Sequence, residues 1–193
     1  MIIGLVGNKQ CGKDTCADYL VTRRKFVKMA FADPLKESAR CMMGFNDRQL
    51  YGDQKEVVDS FWNVTPRKFL QWLGTDIMRE RFREISSSDN GDFWIKRFEK
   101  EIKGKNDNII ISDVRFINES KKIKELGGFL IKIKRNLEHD LVHGEHISEI
   151  ELLSIDSDYT IDNSGSFEEL YNKLDNIIYG MDIGIEERPN ILI

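Results

Sequence analysis

The first fifteen residues constrain this chain most. Met1-Ile2-Ile3-Gly4-Leu5-Val6 is a short apolar run, and Gly7-Asn8-Lys9-Gln10-Cys11-Gly12-Lys13-Asp14-Thr15 follows it directly. An apolar run, two glycines separated by four residues, a lysine and then amphipathic sequence predict a buried strand, a phosphate-cradling loop and a helix. The spacing matches the pattern G-x-x-x-x-G-K-[ST] except at Asp14, which stands where a hydroxyl belongs. Gly7 and Gly12 let the backbone curl with its N–H groups inward, and Lys13 reaches the outer phosphates of a nucleoside triphosphate. Gly7 to Thr15 are therefore the candidate nucleotide-binding residues. Magnesium would fall to the Asp14 carboxylate or the Thr15 hydroxyl, directly or through water. The bland alternative is an ordinary glycine-rich strand-to-helix turn.

The remaining composition narrows the partners. A chain of 193 residues with 40% hydrophobic and 32% charged side chains is that of a soluble globular protein, large enough to bury about 70% of its unfolded surface. No apolar run approaches a membrane span, and the N-terminal run leads into the loop rather than into a cleavage site. Cys11, Cys16 and Cys41 lack framework or metal-ligand spacing, so a reducing compartment is expected. A formal charge of -4 argues against polymeric nucleic acid as a partner.

Along the chain, helix is expected over 12–24 with Cys16, Ala17, Tyr19 and Leu20 inward, and strand over Phe26 to Phe31. Asp33-Pro34 then opens a helix with Asp as N-cap, running to about Met43. Residues 44–63 read as irregular or short surface helices. Thr65-Pro66 opens a long helix that packs Phe69, Leu73 and Ile77 and sets Arg67, Gln71, Thr75 and Arg79 along a polar face. Asp92-Phe93-Trp94 begins another, with Trp94, Ile95, Phe98 and Ile102 inward. Further strands are predicted at Asn108 to Asp113, Phe129 to Lys134 and Asp158 to Ile161, with helices at Glu119 to Leu126, Ile147 to Leu153 and Ser166 to Tyr179. Alternation of strands and helices implies a three-layer α/β fold on a parallel sheet, with ligands beyond the carboxyl ends of the strands.

Asp113, after Ile109-Ile110-Ile111, has the setting of an acid that holds magnesium or orients a phosphate acceptor; a helix cap is the plain alternative. Arg115 and Glu119 sit beside it. Arg67, Gln71, Thr75 and Arg79 would suit an anionic acceptor, or form a solvated face with local ion pairs. Lys36 stands in the same position, and Trp72 and Trp94 would stack on a base or fill the core. His139, His143 and His146 fit a polar loop better than a zinc site, since Gly144 and nearby carboxylates break the pattern. Arg135, just before them, would close a short lid over phosphates.

Together, Gly7 to Thr15, Phe31-Ala-Asp-Pro-Leu-Lys36, Thr65-Pro-Arg-Lys-Phe-Leu-Gln71, Gly74-Thr-Asp-Ile-Met-Arg79, Asp113-Val-Arg-Phe-Ile-Asn-Glu119 and His146-Ile-Ser-Glu149 resemble the deoxynucleoside monophosphate kinases of DNA bacteriophages and large DNA viruses. The resemblance covers about residues 1 to 180, and Asp14 is part of it. It implies a P-loop fold with a five-stranded parallel sheet, a helical acceptor-binding insertion at about 44–105, a short lid at about 135–146 and a tail at 181–193. It also implies transfer of the terminal phosphoryl group of ATP, with magnesium, to a deoxynucleoside monophosphate for DNA precursor synthesis. Lys13 would stabilise the transferring group, with Asp14 and Thr15 on the metal or phosphates. Lys36, Arg67, Gln71, Gly74, Thr75, Asp76, Arg79 and Trp94 would frame the acceptor. Asp113, Arg115 and Glu119 would complete its side, and Arg135 would be the lid arginine. The resemblance further implies a homodimer and, for a viral protein, the host cytoplasm.

Two other readings compete. A P-loop kinase with another small phosphorylated acceptor, resembling phosphomevalonate kinase, shares the loop and His-x-Ser-Glu but not Thr-Pro-Arg or Gly-Thr-Asp. A nucleotide-dependent switch would carry Asp-x-x-Gly after the acidic strand, where this chain has Asp113-Val114-Arg115-Phe116.

Overall fold

The structure is a computed structural model that describes residues 1–86, 91–135 and 151–182. The chain forms two compact units: Phe31–Gly104, and the segments on either side of it.

The flanking segments build a five-stranded sheet. Its strands are β1 (Ile2–Val6), β2 (Val27–Met29), β3 (Ile109–Ile111), β4 (Phe129–Lys134) and β5 (Tyr159–Asp162). They lie in the order β2-β3-β1-β4-β5, all neighbours parallel. Ile109 to Ile111 are buried throughout, as a central parallel strand requires. The helices of this unit include α1 (Lys13–Arg24), α6 (Ile117–Glu125) and α7 (Phe167–Asp182). Ile3, Leu5, Ile131, Ile133 and Ile161 meet Cys16, Ala17 and Leu20 of α1 and Leu170, Leu174 and Ile177 of α7 in one core. On the opposite face α6 comes so close that a Cβ at Gly4 would stand 2.7 Å from Ile123 and 2.9 Å from Val114. The sheet is thus covered on both sides, and the strand order reverses at β1, the place where such sheets bind ligands.

The second unit holds α2 (Asp33–Met43), α3 (Asp47–Leu50), α4 (Pro66–Gln71) and α5 (Phe93–Ile102). Its core is Ala39, Phe45, Leu50, Phe69, Leu70 and Leu73. Phe45 and Leu50 are fully buried, so the stretch expected to lie on the surface supplies two anchors to that core. Thr65 caps α4 as expected, accepting a hydrogen bond from the Lys68 amide at 3.2 Å. In α2 the cap differs: Ala32 holds the N-cap, while Asp33 and Pro34 form the first turn.

α4 departs from a uniform helix. It widens to a π-helix over Trp72–Arg81 and tightens to a 3-10 turn at Phe82–Glu84. Burial then skips from Gly74 to Arg79, which a regular 3.6-residue period would not produce. Gly74 lies against Leu35, whose Cδ2 would be 2.6 Å from an added Cβ. Its carbonyl accepts the indole N–H of Trp94 at 2.8 Å. Among the described residues, no helix is long and apolar enough to cross a membrane.

Candidate active site

β1 delivers the chain to a loop whose turns need positive φ: Gly7 at 151°, Gln10 at 64° and Gly12 at 106°. A side chain at Gly7 would run into the Ile133 carbonyl oxygen and approach Cys11 Sγ to 2.7 Å; one at Gly12 would run into the Asn163 amide. Both pattern glycines are therefore required by β4 and by the turn after β5, in addition to the loop's own curvature. As the N-cap of α1, Gly12 also brings no side chain to cover the first-turn amides.

Lys13 folds back over the loop, donating to the carbonyls of Gly7 at 2.8 Å and Asn8 at 2.6 Å, with Cys11 Sγ at 3.6 Å. Burial holds the Lys13 ammonium below the usual lysine pKa; Cys11 opposes that shift and the Arg115 guanidinium reinforces it. Lys9 and Gln10 are exposed at the loop tip, Asn8 and Thr15 half-buried. Asp14 projects outward and pairs with Lys28 of β2 at 3.0 Å.

Beyond β3, Asp113 is half-buried, Val114 buried and Arg115 exposed. Glu119 departs from its expected place. It is 2% exposed, and its carboxylate accepts the amides of Arg115 at 3.0 Å and Phe116 at 3.1 Å. The Ile117 amide donates to Glu151 at 3.0 Å. Two carboxylates therefore take three successive amides at the start of α6, which sets the turn carrying Arg115. Glu119 positions that arginine from beneath rather than facing outward. Arg135 follows β4 at the same edge of the sheet as Gly7, and is exposed. Of the expected lid at about 135–146, residues 136–146 with the three histidines lie outside the described residues.

In the helical unit, Lys36 stands 3.8 Å from Asp33 and 4.3 Å from the Tyr51 ring centre. Arg67 pairs with Glu56. Gln71 and Thr75 are half-buried, Asp76 is exposed and Arg79 is buried in the π-helical stretch. Trp94, 8% exposed and bonded to Gly74, is a core residue, whereas Trp72 is 48% exposed.

Three residues of the site carry no motif signal. Asn163 donates its side-chain amide to the Cys11 carbonyl, Lys28 meets Asp14, and Glu151 caps α6. Only the turn-forming run Asp162-Asn163-Ser164-Gly165 hints that something is held there.

The profile of the deoxynucleotide monophosphate kinases matches residues 1–56 and 47–174. The chain belongs to that family. It is 41% identical over 184 residues to a protein of Acanthamoeba polyphaga mimivirus whose deoxynucleotide monophosphate kinase name is itself provisional, covering 90% of this chain and 94% of that one. It is 29% identical over 152 residues to the deoxynucleotide monophosphate kinase of Enterobacteria phage T4, covering 77% of this chain and 57% of the phage protein. Among solved structures, shikimate kinase from Aquifex aeolicus aligns with a TM-score of 0.49 at 15% identity, covering 95% of this chain and 99% of that one.

Proposed function

We propose that this member of the family transfers the terminal phosphoryl group of ATP to a deoxynucleoside monophosphate, giving the diphosphate for DNA precursor synthesis. The observation that carries this is the phosphate loop, with Lys13 held inside it by the Gly7 and Asn8 carbonyls. Gly7 to Thr15 hold the donor phosphates, and Lys13 exchanges the Gly7 and Asn8 carbonyls for phosphate oxygens. Lys13 and Arg115 then stabilise the charge spread over the transferring group. Glu119 and Glu151 keep Arg115 in place through its turn.

A nucleoside monophosphate offers an oxygen that is already largely deprotonated at neutral pH, its second pKa being about 6. No strong base is needed, so Asp113 acts by orienting the acceptor. Lys36, Arg67, Gln71, Thr75, Asp76 and Arg79 supply the acceptor's phosphate, sugar and base contacts, with Gly74 and Trp94 shaping the helix that carries five of them. Arg135 adds a further phosphate contact.

Among the described residues no group of three or more Asp, Glu, His or Cys forms a cation cage. The donors present are hard oxygens, Asp14, Thr15 and Asp113, and this set fits magnesium that arrives on the triphosphate with most of its water. When bound, the ion offsets the negative charge of the phosphates.

The test is a coupled assay of ADP release with dGMP, dTMP or dCMP added singly. Release that depends on one of them supports the assignment, and equal ATP hydrolysis with and without every deoxynucleotide overturns it.

A further inference from the structure

A carboxylate at position 14 creates an electrostatic problem. Asp14 lies in the first turn of α1, immediately after the lysine meant to meet a polyanionic ligand, and its side chain is 80% exposed. An ionised carboxylate there repels the phosphates that the loop amides and Lys13 attract. Asp18 aggravates this. It stands one turn along the same helix face, and like charges at that spacing destabilise a helix.

The structure contains an answer on a neighbouring element. Lys28 lies in β2, whose register against β3 pairs Lys28 with Ile110, so the sheet ladder fixes where its side chain starts. Its Nζ stands 3.0 Å from Asp14 Oδ1 and 2.8 Å from Asp18 Oδ1, bridging the two. The Lys28 side chain is 33% exposed, half or less of either carboxylate. As a surface ion pair this cluster adds little to fold stability, since exposed pairs are screened and entropically costly. Its effect falls on the ligand instead.

We propose that Lys28 is a positioning residue for the phosphoryl donor: it neutralises Asp14 and so lets a carboxylate occupy the usual hydroxyl position of the loop without repelling the triphosphate. Lys28 acts through Asp14 and makes no contact with the phosphates. The assignment rests on the loop binding a nucleotide, as proposed above.

The test is calorimetric titration of the full chain with ATP in EDTA at low ionic strength, which reads binding without turnover or metal. Lys28→Met is expected to weaken ATP binding about tenfold, equivalent to about 1.4 kcal/mol. Lys28→Arg restores it, because charge rather than lysine itself is required. Asp14→Asn tightens metal-free binding, and in that background Lys28→Met costs less than about twofold. High salt shrinks the Lys28→Met effect. Lys28 has no such part if Lys28→Met leaves ATP affinity unchanged, or weakens it equally with Asp14 and with Asn at position 14. Failure of the unsubstituted chain to bind ATP would instead overturn the nucleotide assignment of the loop, and this inference with it.

Discussion

Asn163 donates from Nδ2 to the carbonyl oxygen of Cys11 at 2.8 Å, tying the turn after β5 to the middle of the phosphate loop across 152 residues of sequence. The Asn163 amide in turn donates to Lys134 at 2.7 Å, so one residue fastens the loop to the ends of two strands. Drawing the Cys11 carbonyl sideways keeps an acceptor away from the space that an anion needs.

Asn163→Ala should therefore cost about 1–3 kcal/mol of stability, the usual result of leaving a buried carbonyl without its donor. It should also weaken ATP binding more than acceptor binding. Urea denaturation and titration with each ligand measure the two effects; an acceptor affinity that falls as far as that for ATP would show general loosening instead.

Gly12→Ala should abolish ATP binding. The new Cβ meets the Asn163 amide at a φ of 106°, where non-glycine residues are strained, so the loop must open. Loss of ATP binding in a protein that still melts cooperatively is the expected result; calorimetry and a thermal scan check it.

Lys13 should lend nucleotide binding an unusual alkaline limit. Its pKa lies below the ordinary 10.5 because of burial, so the phosphate-binding charge is lost at a lower pH than for an exposed lysine. In the window between the depressed value and 10.5 the unfolded chain binds more protons than the folded one, so the unliganded fold gains stability as pH rises. ATP affinity and melting temperature should move in opposite directions there, and Lys13→Met should remove both trends.

Arg67→Ala should raise the KM for the deoxynucleotide far more than that for ATP. The ion pair with Glu56 gives a companion test: Glu56→Gln releases Arg67 and should lower the acceptor KM if the arginine meets phosphate. Steady-state kinetics with each substrate varied decide it.

Two of the three cysteines should separate in reactivity. Cys41 is exposed, whereas burial pushes the Cys16 thiol up to about 12, with Cys11 adding to the shift. Alkylation at neutral pH, followed by peptide mass spectrometry, should modify Cys41 while sparing Cys16 in the native chain and reach both after denaturation.

Strand and helix positions in the sheet unit were legible because their causes are local. Ile109 to Ile111, the glycines at 7 and 12, and Asp113 all announce themselves through spacing. What was illegible depends on contacts distant in sequence: Asn163 with Cys11, Lys28 with Asp14 and Glu151 with Ile117 join segments that no pattern links. Glu119 looked like a ligand because its carboxylate adjoins Asp113 and Arg115, yet it faces their backbone. The π-helical stretch hid for another reason. Four-residue spacing of Arg67, Gln71, Thr75 and Arg79 describes a regular helix, and only packing of Gly74 against Leu35 and Trp94 reveals the widened turn.

The strand order also governs how the chain emerges from a ribosome. β1 and β2 are synthesised within the first 29 residues, yet they never pair with each other; both await β3, which arrives at Ile109 and slots between them. Until then both strands remain without the ladder partner they share, a hazard for misassociation. Between β2 and β3 in synthesis comes Phe31–Gly104, a contiguous unit with its own core, able to condense early and shorten the effective tether that β3 must span. Substitutions in that core, such as Phe45→Ala or Leu50→Ala, should consequently lower soluble yield out of proportion to any change in nucleotide affinity of the finished protein.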